Sequence, residues 1–212
     1  KNQYFIDDHQ APAIKLSGDI FIKSGRLCLE NQTKCPAWAF YSHRLGCSTY
    51  EADDQDEVSK SAEGLLIHRV LELFWSQTKS LDKLLSMNDL NLEKVIEGYI
   101  AQALKEFEED HSEIDSRLLL MQQQNLKNQI YTWLSEEKKR PLFQIKDLEK
   151  TVEIKINRIR FNIRIDRIDV IQNKYELIVD YKTGKNPTTR KAFFSDTLTD
   201  LQIPIYACFL PN

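Results

Sequence analysis

Two acids stand where a β-sheet should be apolar. In RIDRIDVIQNKYELIVDYKTGK, residues 164–185, Asp166 and Asp180 sit among alternating Ile and Val. A carboxylate removed from water without a partner is costly, so something must neutralise both. The segments either side of Asn173 read as a hairpin. Centred on that residue, it sets Asp166 opposite Asp180 with Cβ atoms roughly 4.5–5.5 Å apart, where like charges repel. The same register sets Asp169 opposite Leu177 and points Asp169 to the other face from Asp166. Lys182, two residues beyond Asp180, shares that acid's face. A two-residue turn at Asn173-Lys174 would shift this pairing. Two readings stay open from the residues alone. One is a divalent-cation site of the Mg²⁺ kind, which takes one or two protein carboxylates and can activate water against a phosphate, with the ammonium orienting that water. The other is a buried Asp/Lys ion pair.

The elements that must position these groups follow from periodicity. Residues 33–45, TKCPAWAFYSHRL, carry apolar side chains at helical spacing and run into Gly46, a helix stop. The acidic stretch 51–57 reads as an exposed loop. A helix is expected from Ser59 or Ser61 through GLLIHRVLELFW, with Glu63 in its first turn. Further helices are expected near 91–109 and 113–139, the second stopping before Pro141. Alternation every second residue then predicts strands at about 150–157, 159–171 and 175–182. DLQIPIYACF returns to helical spacing, and Pro204 is tolerable there only in the first turn, so this helix should begin at 200–203. Helices, a strand meander and a closing helix make a mixed α/β (α+β) domain.

Composition bounds the function. The chain has 212 residues, 42% hydrophobic and 29% charged, as an ordinary globular domain does. No apolar run approaches the roughly 18 residues of a membrane span, so no membrane partner is expected. The four cysteines, at 28, 35, 47 and 208, form no CxxC pair and read as free thiols. Net charge is −3, but residues 151–192 hold ten Lys/Arg against five Asp/Glu, while the rest holds 19 against 27. Such a basic island suits a local polyanion site, or else solvated strand faces. The chain opens on Lys1 and stops just after an expected helix, and it reads as one domain excised from a longer protein.

Asp166, a strand, and then Asp180-Tyr181-Lys182 resemble the core of the PD-(D/E)XK nuclease superfamily, and more narrowly its RecB/AddB-like branch. Gly64-Leu65-Leu66-Ile67-His68 is similar to that branch's G-x-x-x-H helix, and Gln202-Ile203-Pro204-Ile205-Tyr206 to its Q-x-x-x-Y helix. Cys35-Pro36 with Phe40 and Arg44-Leu45 resembles the C-P-x-x-x-F helix before the core. Ile163 stands where many relatives have glycine. The resemblance implies a restriction-endonuclease-like core with a small central sheet flanked by helices. Residues 1–212 would form one nuclease domain, helical over about 30–140 and sheet-bearing over about 148–210.

Carried over by position, the resemblance implies that His68, Asp166 and Asp180 ligate Mg²⁺ or Mn²⁺, with the Tyr181 backbone carbonyl a further ligand. Lys182 would serve the attacking water. Gln202 and Tyr206, four apart on one helical face, would hold the DNA backbone or the site's geometry; an ordinary interface stripe is the alternative. Without the other motifs His68 would read as a core histidine. Glu72, four residues from His68, and Glu153 are candidate supports behind the ligands. Some relatives carry an iron–sulfur cluster, but only Cys208 lies near the expected place for most of its ligands, so no cluster is expected. The implied activity is metal-dependent DNA hydrolysis of the exonuclease type in repair or recombination, in the cytoplasm. The chain has no G-x-x-x-x-G-K-[ST] motor motif, so a helicase region of the parent chain, or a partner helicase, would feed it. The alternatives are a nuclease-like DNA-binding or scaffold module without catalysis, and a structural interaction domain.

Overall fold

The computed structural model describes residues 18–48, 60–111, 116–184 and 200–209. A short strand, β1 (Ile20–Phe21), leads into helices α1 (Arg26–Lys34) and α2 (Pro36–Ala39) and a π-helical turn, Phe40–Arg44. The expected single helix over 33–45 is therefore broken. Pro36 disfavours helical geometry in the residue before it, and Cys35 is extended, with φ −162° and ψ 111°. The expected acidic loop at 51–57 lies outside the described residues.

Helix α3 (Lys60–Thr78) buries Ala62, Leu66, Ile67, Val70, Leu71, Phe74 and Trp75, the stripe that spacing of three and four residues produces. A short helix that periodicity did not reveal, α4 (Leu81–Leu85), is capped by Ser80, whose side chain accepts from the Lys83 N–H. Helix α5 (Asp89–Asp110) is capped by Asn88 in the same way. Its apolar face, Leu92 to Phe107, packs with α3 and with α6 (Ser116–Glu137) into one core.

The sheet has four strands, with β3 (Ile159–Ile171) at its centre. One side of β3 pairs antiparallel with β2 (Phe143–Ile156) along nearly its whole length. The other side is shared: β1 runs parallel at Ile159–Arg160, and β4 (Tyr175–Val179) runs antiparallel at Arg167–Ile171. Among the described residues, this leaves the middle of β3, residues 161–166, without a strand neighbour on that side. The result is a mixed α/β fold of the restriction-endonuclease-like kind, a small sheet flanked by helices.

Strand β2 begins at Phe143, earlier than expected, because a register shift between Ile145 and Asp147 interrupts its alternation. The hairpin register is the one centred on Asn173, with Asp169 opposite Leu177. Gln172 and Asn173 both take positive φ, 54° and 53°, in the turn. Strand β4, expected to reach 182, stops at Val179. The next pair would set Asp180 against Asp166, and like charges do not sit comfortably across a ladder. Helix α7 (Gln202–Phe209) starts where Pro204 requires, and its Ile205 and Tyr206 pack on Phe161, Ile163 and Ile165 of β3.

Candidate active site

The open stretch of β3 forms the floor of a cleft of about 400 Å³. Four parts of the chain meet there: the turn between β1 and α1, helix α3, the segment leaving β4, and the start of α7. Gly64 on α3 makes the close approach possible, since a Cβ there would lie 2.9 Å from Thr183 Oγ1. One turn further along α3, His68 points into the cleft.

The ladder ends at Val179, and the chain beyond it turns its polar groups onto the acids. The Tyr181 N–H donates to Asp166 Oδ2 at 2.8 Å. The Tyr181 carbonyl lies 3.1 Å from His68 Nε2, so that nitrogen donates to it. His68 Nδ1 is then left facing Asp166 Oδ1 at 3.5 Å, buried and without a hydrogen-bond partner. Burial works against a charged His68, but Asp166 beside it and Glu149 further off outweigh this and raise its pKa.

A second acid completes the group. Ligand atoms of His68, Glu149 and Asp166 all lie within 4.8 Å of one another. Glu149 was not among the residues singled out from sequence. It lies between the paired positions Leu148↔Arg167 and Lys150↔Ile165, hence across from Asp166. Its φ of 45°, rare for a residue with a side chain, takes it out of the ladder. Arg164 Nε lies 2.9 Å from its Oε2. Burial raises the Glu149 pKa, and Asp166 and Glu72 add to the rise.

Asp180 stands beside this group rather than within it. Its Oδ2 lies 2.7 Å from Lys182 Nζ, and its Oδ1 accepts a hydrogen bond from Gln202 Nε2. Burial raises its pKa, with a further rise from Asp166 against the lowering by Lys182. Lys182 in turn donates to Gln202 Oε1. Gln202 Nε2 also donates to Tyr206 Oη at 2.8 Å, and that hydroxyl donates to the Arg164 carbonyl at 2.6 Å. Burial pushes the Tyr206 pKa up to about 12, so it stays a donor. Thus one amide clamps the acid and the lysine, and one hydroxyl ties that amide to the open edge of β3.

The other named residues lie elsewhere. Glu72 accepts from Arg69 at 2.6 Å and reaches the site only through its charge on Glu149. Glu153 is exposed, stands opposite Asn162 on the ladder and pairs with Arg160 at 3.5 Å. Among the described residues, most cations of the basic island are in internal pairs. Lys155 binds Asp19, Arg160 binds Asp19 and Glu153, Arg164 binds Glu149, and Lys182 binds Asp180. Arg167 is wholly buried with Glu137 and Asp169. Lys185, Arg190 and Lys191 lie outside the described residues. All four cysteines are free, and among the described residues no helix is long and apolar enough to cross a membrane.

The group fits a divalent cation. A buried imidazole nitrogen without a hydrogen-bond partner faces two carboxylates across a polar cleft, a nitrogen–oxygen donor set that such ions accept. No curated protein matches the chain. The model of the PD-(D/E)XK nuclease superfamily, whose members are generally hydrolases that use divalent metals, matches residues 28–211. With the sheet, the acids and the lysine placed as described, this chain belongs to the PD-(D/E)XK nuclease superfamily.

Proposed function

We propose that the domain is a Mg²⁺- or Mn²⁺-dependent deoxyribonuclease of the RecB/AddB-like branch, trimming DNA ends in repair or recombination. Its cytoplasmic setting and a helicase region or partner that feeds it belong to the same proposal. The observation that carries the nuclease reading is His68 Nδ1, buried and without a hydrogen-bond partner 3.5 Å from Asp166, with Glu149 in the same cluster and Lys182 beside it.

His68, Asp166 and Glu149 would hold the cation, with Asp180 supplying a further oxygen at the edge of the group. Bound there, a divalent ion acidifies water and offsets charge on the phosphate. The remaining steps belong to the chain. The Tyr181 carbonyl fixes the His68 ring, which makes it the anchor of a ligand in this arrangement. Asp180 and Gln202 hold Lys182 Nζ where it can orient the attacking water. Tyr206 and the Arg164 carbonyl keep the Gln202 amide in the one orientation that serves both partners.

The test is cleavage of end-labelled single- and double-stranded DNA by the purified domain with Mg²⁺, Mn²⁺ or EDTA. Asp180→Ala and Lys182→Ala run alongside. Metal-dependent cleavage should vanish in Asp180→Ala. Lys182→Ala should still bind DNA and gain thermal stability from Mn²⁺, yet cleave at least about a hundredfold more slowly. Binding without cleavage by the unaltered domain would move the reading to a DNA-binding module.

A further inference from the structure

Part of the cleft's lining comes from a turn that the nuclease reading leaves unused. Lys23–Gly25, which leads from β1 into α1, and Arg26, the first residue of α1, share the cleft with Asp166, Asp180 and Lys182. Gly25 seats this turn. Its φ is 58°, and a Cβ there would lie 2.9 Å from the Asn162 carbonyl oxygen, so only glycine lets the backbone settle on the open edge of β3. The next residue is Arg26, delivered to the cleft by that contact.

Arg26 is braced from behind. Its Nη1 pairs with Glu30, one turn along α1, whose side chain is only 7% exposed. The same buried carboxylate accepts from the Leu201 N–H at 3.2 Å. Leu201 directly precedes Gln202, the residue that clamps Asp180 and Lys182. One acid therefore holds Arg26 and the start of α7 in a fixed relation. The Arg26 side chain keeps 32% of its surface open. A guanidinium has five N–H donors in a fork that matches phosphate oxygens, and the Glu30 pair uses Nη1. Its charge is felt at Asp180 and Tyr206, where it opposes the rise that burial causes.

We infer that Arg26 binds a phosphate of the nucleic-acid strand in this cleft, through a guanidinium that Glu30 positions. The inference takes its ligand from the nuclease reading, but it concerns grip on the strand rather than hydrolysis. It assigns to the β1–α1 turn the task of holding the backbone while the metal-site residues face the bond to be cut.

The test compares the unaltered domain with Arg26→Ala and Arg26→Gln on one oligonucleotide. Arg26→Gln keeps a hydrogen-bond donor for Glu30, so it guards against loss of folding. Both variants should raise KM by about tenfold to a hundredfold, the loss expected for a charge-assisted hydrogen bond, with kcat changed by less than about threefold. Binding measured by anisotropy should show a salt dependence shallower by about one phosphate contact. The Mn²⁺-induced rise in melting temperature should not change. If the unaltered domain cleaves and both variants keep its KM and salt dependence, the Arg26 assignment falls and the nuclease reading stands. If the unaltered domain binds without cleaving and the variants bind more weakly, the nuclease reading falls and Arg26 keeps its role. An unaltered domain that neither binds nor cleaves overturns both.

Discussion

Arg167→Met would strike the support beneath the site. Arg167 is wholly buried, with its guanidinium 4.7 Å from the Trp75 ring centroid and 5.2 Å from that of Phe143. Its Nη2 donates to Glu137 at 2.8 Å and to Asp169 at 3.0 Å, and its Nη1 donates to Tyr181 Oη at 2.8 Å. Methionine fills the space of the stem but leaves Asp169, with no exposed side-chain surface, to Arg140 alone. Breaking a buried pair by removing one partner costs about 3–5 kcal/mol, a large share of the roughly 5–15 kcal/mol that holds a domain folded. Urea unfolding should show this as a fall in midpoint at unchanged m-value. Arg167→Met/Asp169→Leu removes the stranded acid too and should recover most of the loss. A single variant that costs less than about 1 kcal/mol would refute the reasoning, since Arg140 would then suffice for Asp169.

At neutral pH in EDTA, Glu149→Gln should melt higher than the unaltered domain, because it removes a charge that burial, Asp166 and Glu72 all disfavour. In saturating Mn²⁺ the order should reverse, since a lost ligand forfeits stabilisation that binding to the folded state provides; a melting curve in each condition decides it. Gly64→Ala gains up to about 1 kcal/mol of helix propensity but pushes Thr183, next to Lys182, from a contact of 2.9 Å. Its melting temperature should hold within a few degrees while the cleavage rate drops about tenfold or more, as misplaced reacting groups do. Full activity in that variant would show that Thr183 rotates away freely.

Much of this site could be read from residue order, and the part that could not has a physical cause. The register centred on Asn173, one of two the turn allowed, is the one the hairpin keeps up to Val179, the last pair before Asp180 and Asp166 would face each other. The resemblance to the G-x-x-x-H helix singled out Gly64 and His68, and helical spacing put Gln202 and Tyr206 on one face. Glu149 escaped because its strand begins at Phe143, before the register shift at Ile145/Asp147 that masks the alternation. Extending the Ile156↔Ile159 pairing backwards through the ladder would have set Glu149 across from Asp166. Its positive φ leaves no mark on a hydrophobic pattern. Glu153, a candidate support from the sequence, stands opposite Asn162 rather than Asp166, and its exposed carboxylate pairs with Arg160. The basic island left two readings open for a different reason. Counting charges does not reveal which are already paired, and Arg167 is a core residue despite its type.

Tyr181 belongs to both layers at once. Its N–H donates to Asp166, its carbonyl accepts from His68, its hydroxyl accepts from Arg167, and its ring stacks on Trp133 with centroids 5.5 Å apart. The domain therefore carries its own optical reporter. Of the three tryptophans, Trp38 is 53% exposed and Trp75 is buried, so Trp133 is the indole whose emission is tied directly to the residue that bonds Asp166 and His68. A Trp38→Phe background would silence the solvent-facing indole and let occupancy of the cleft be followed by light, with no label attached.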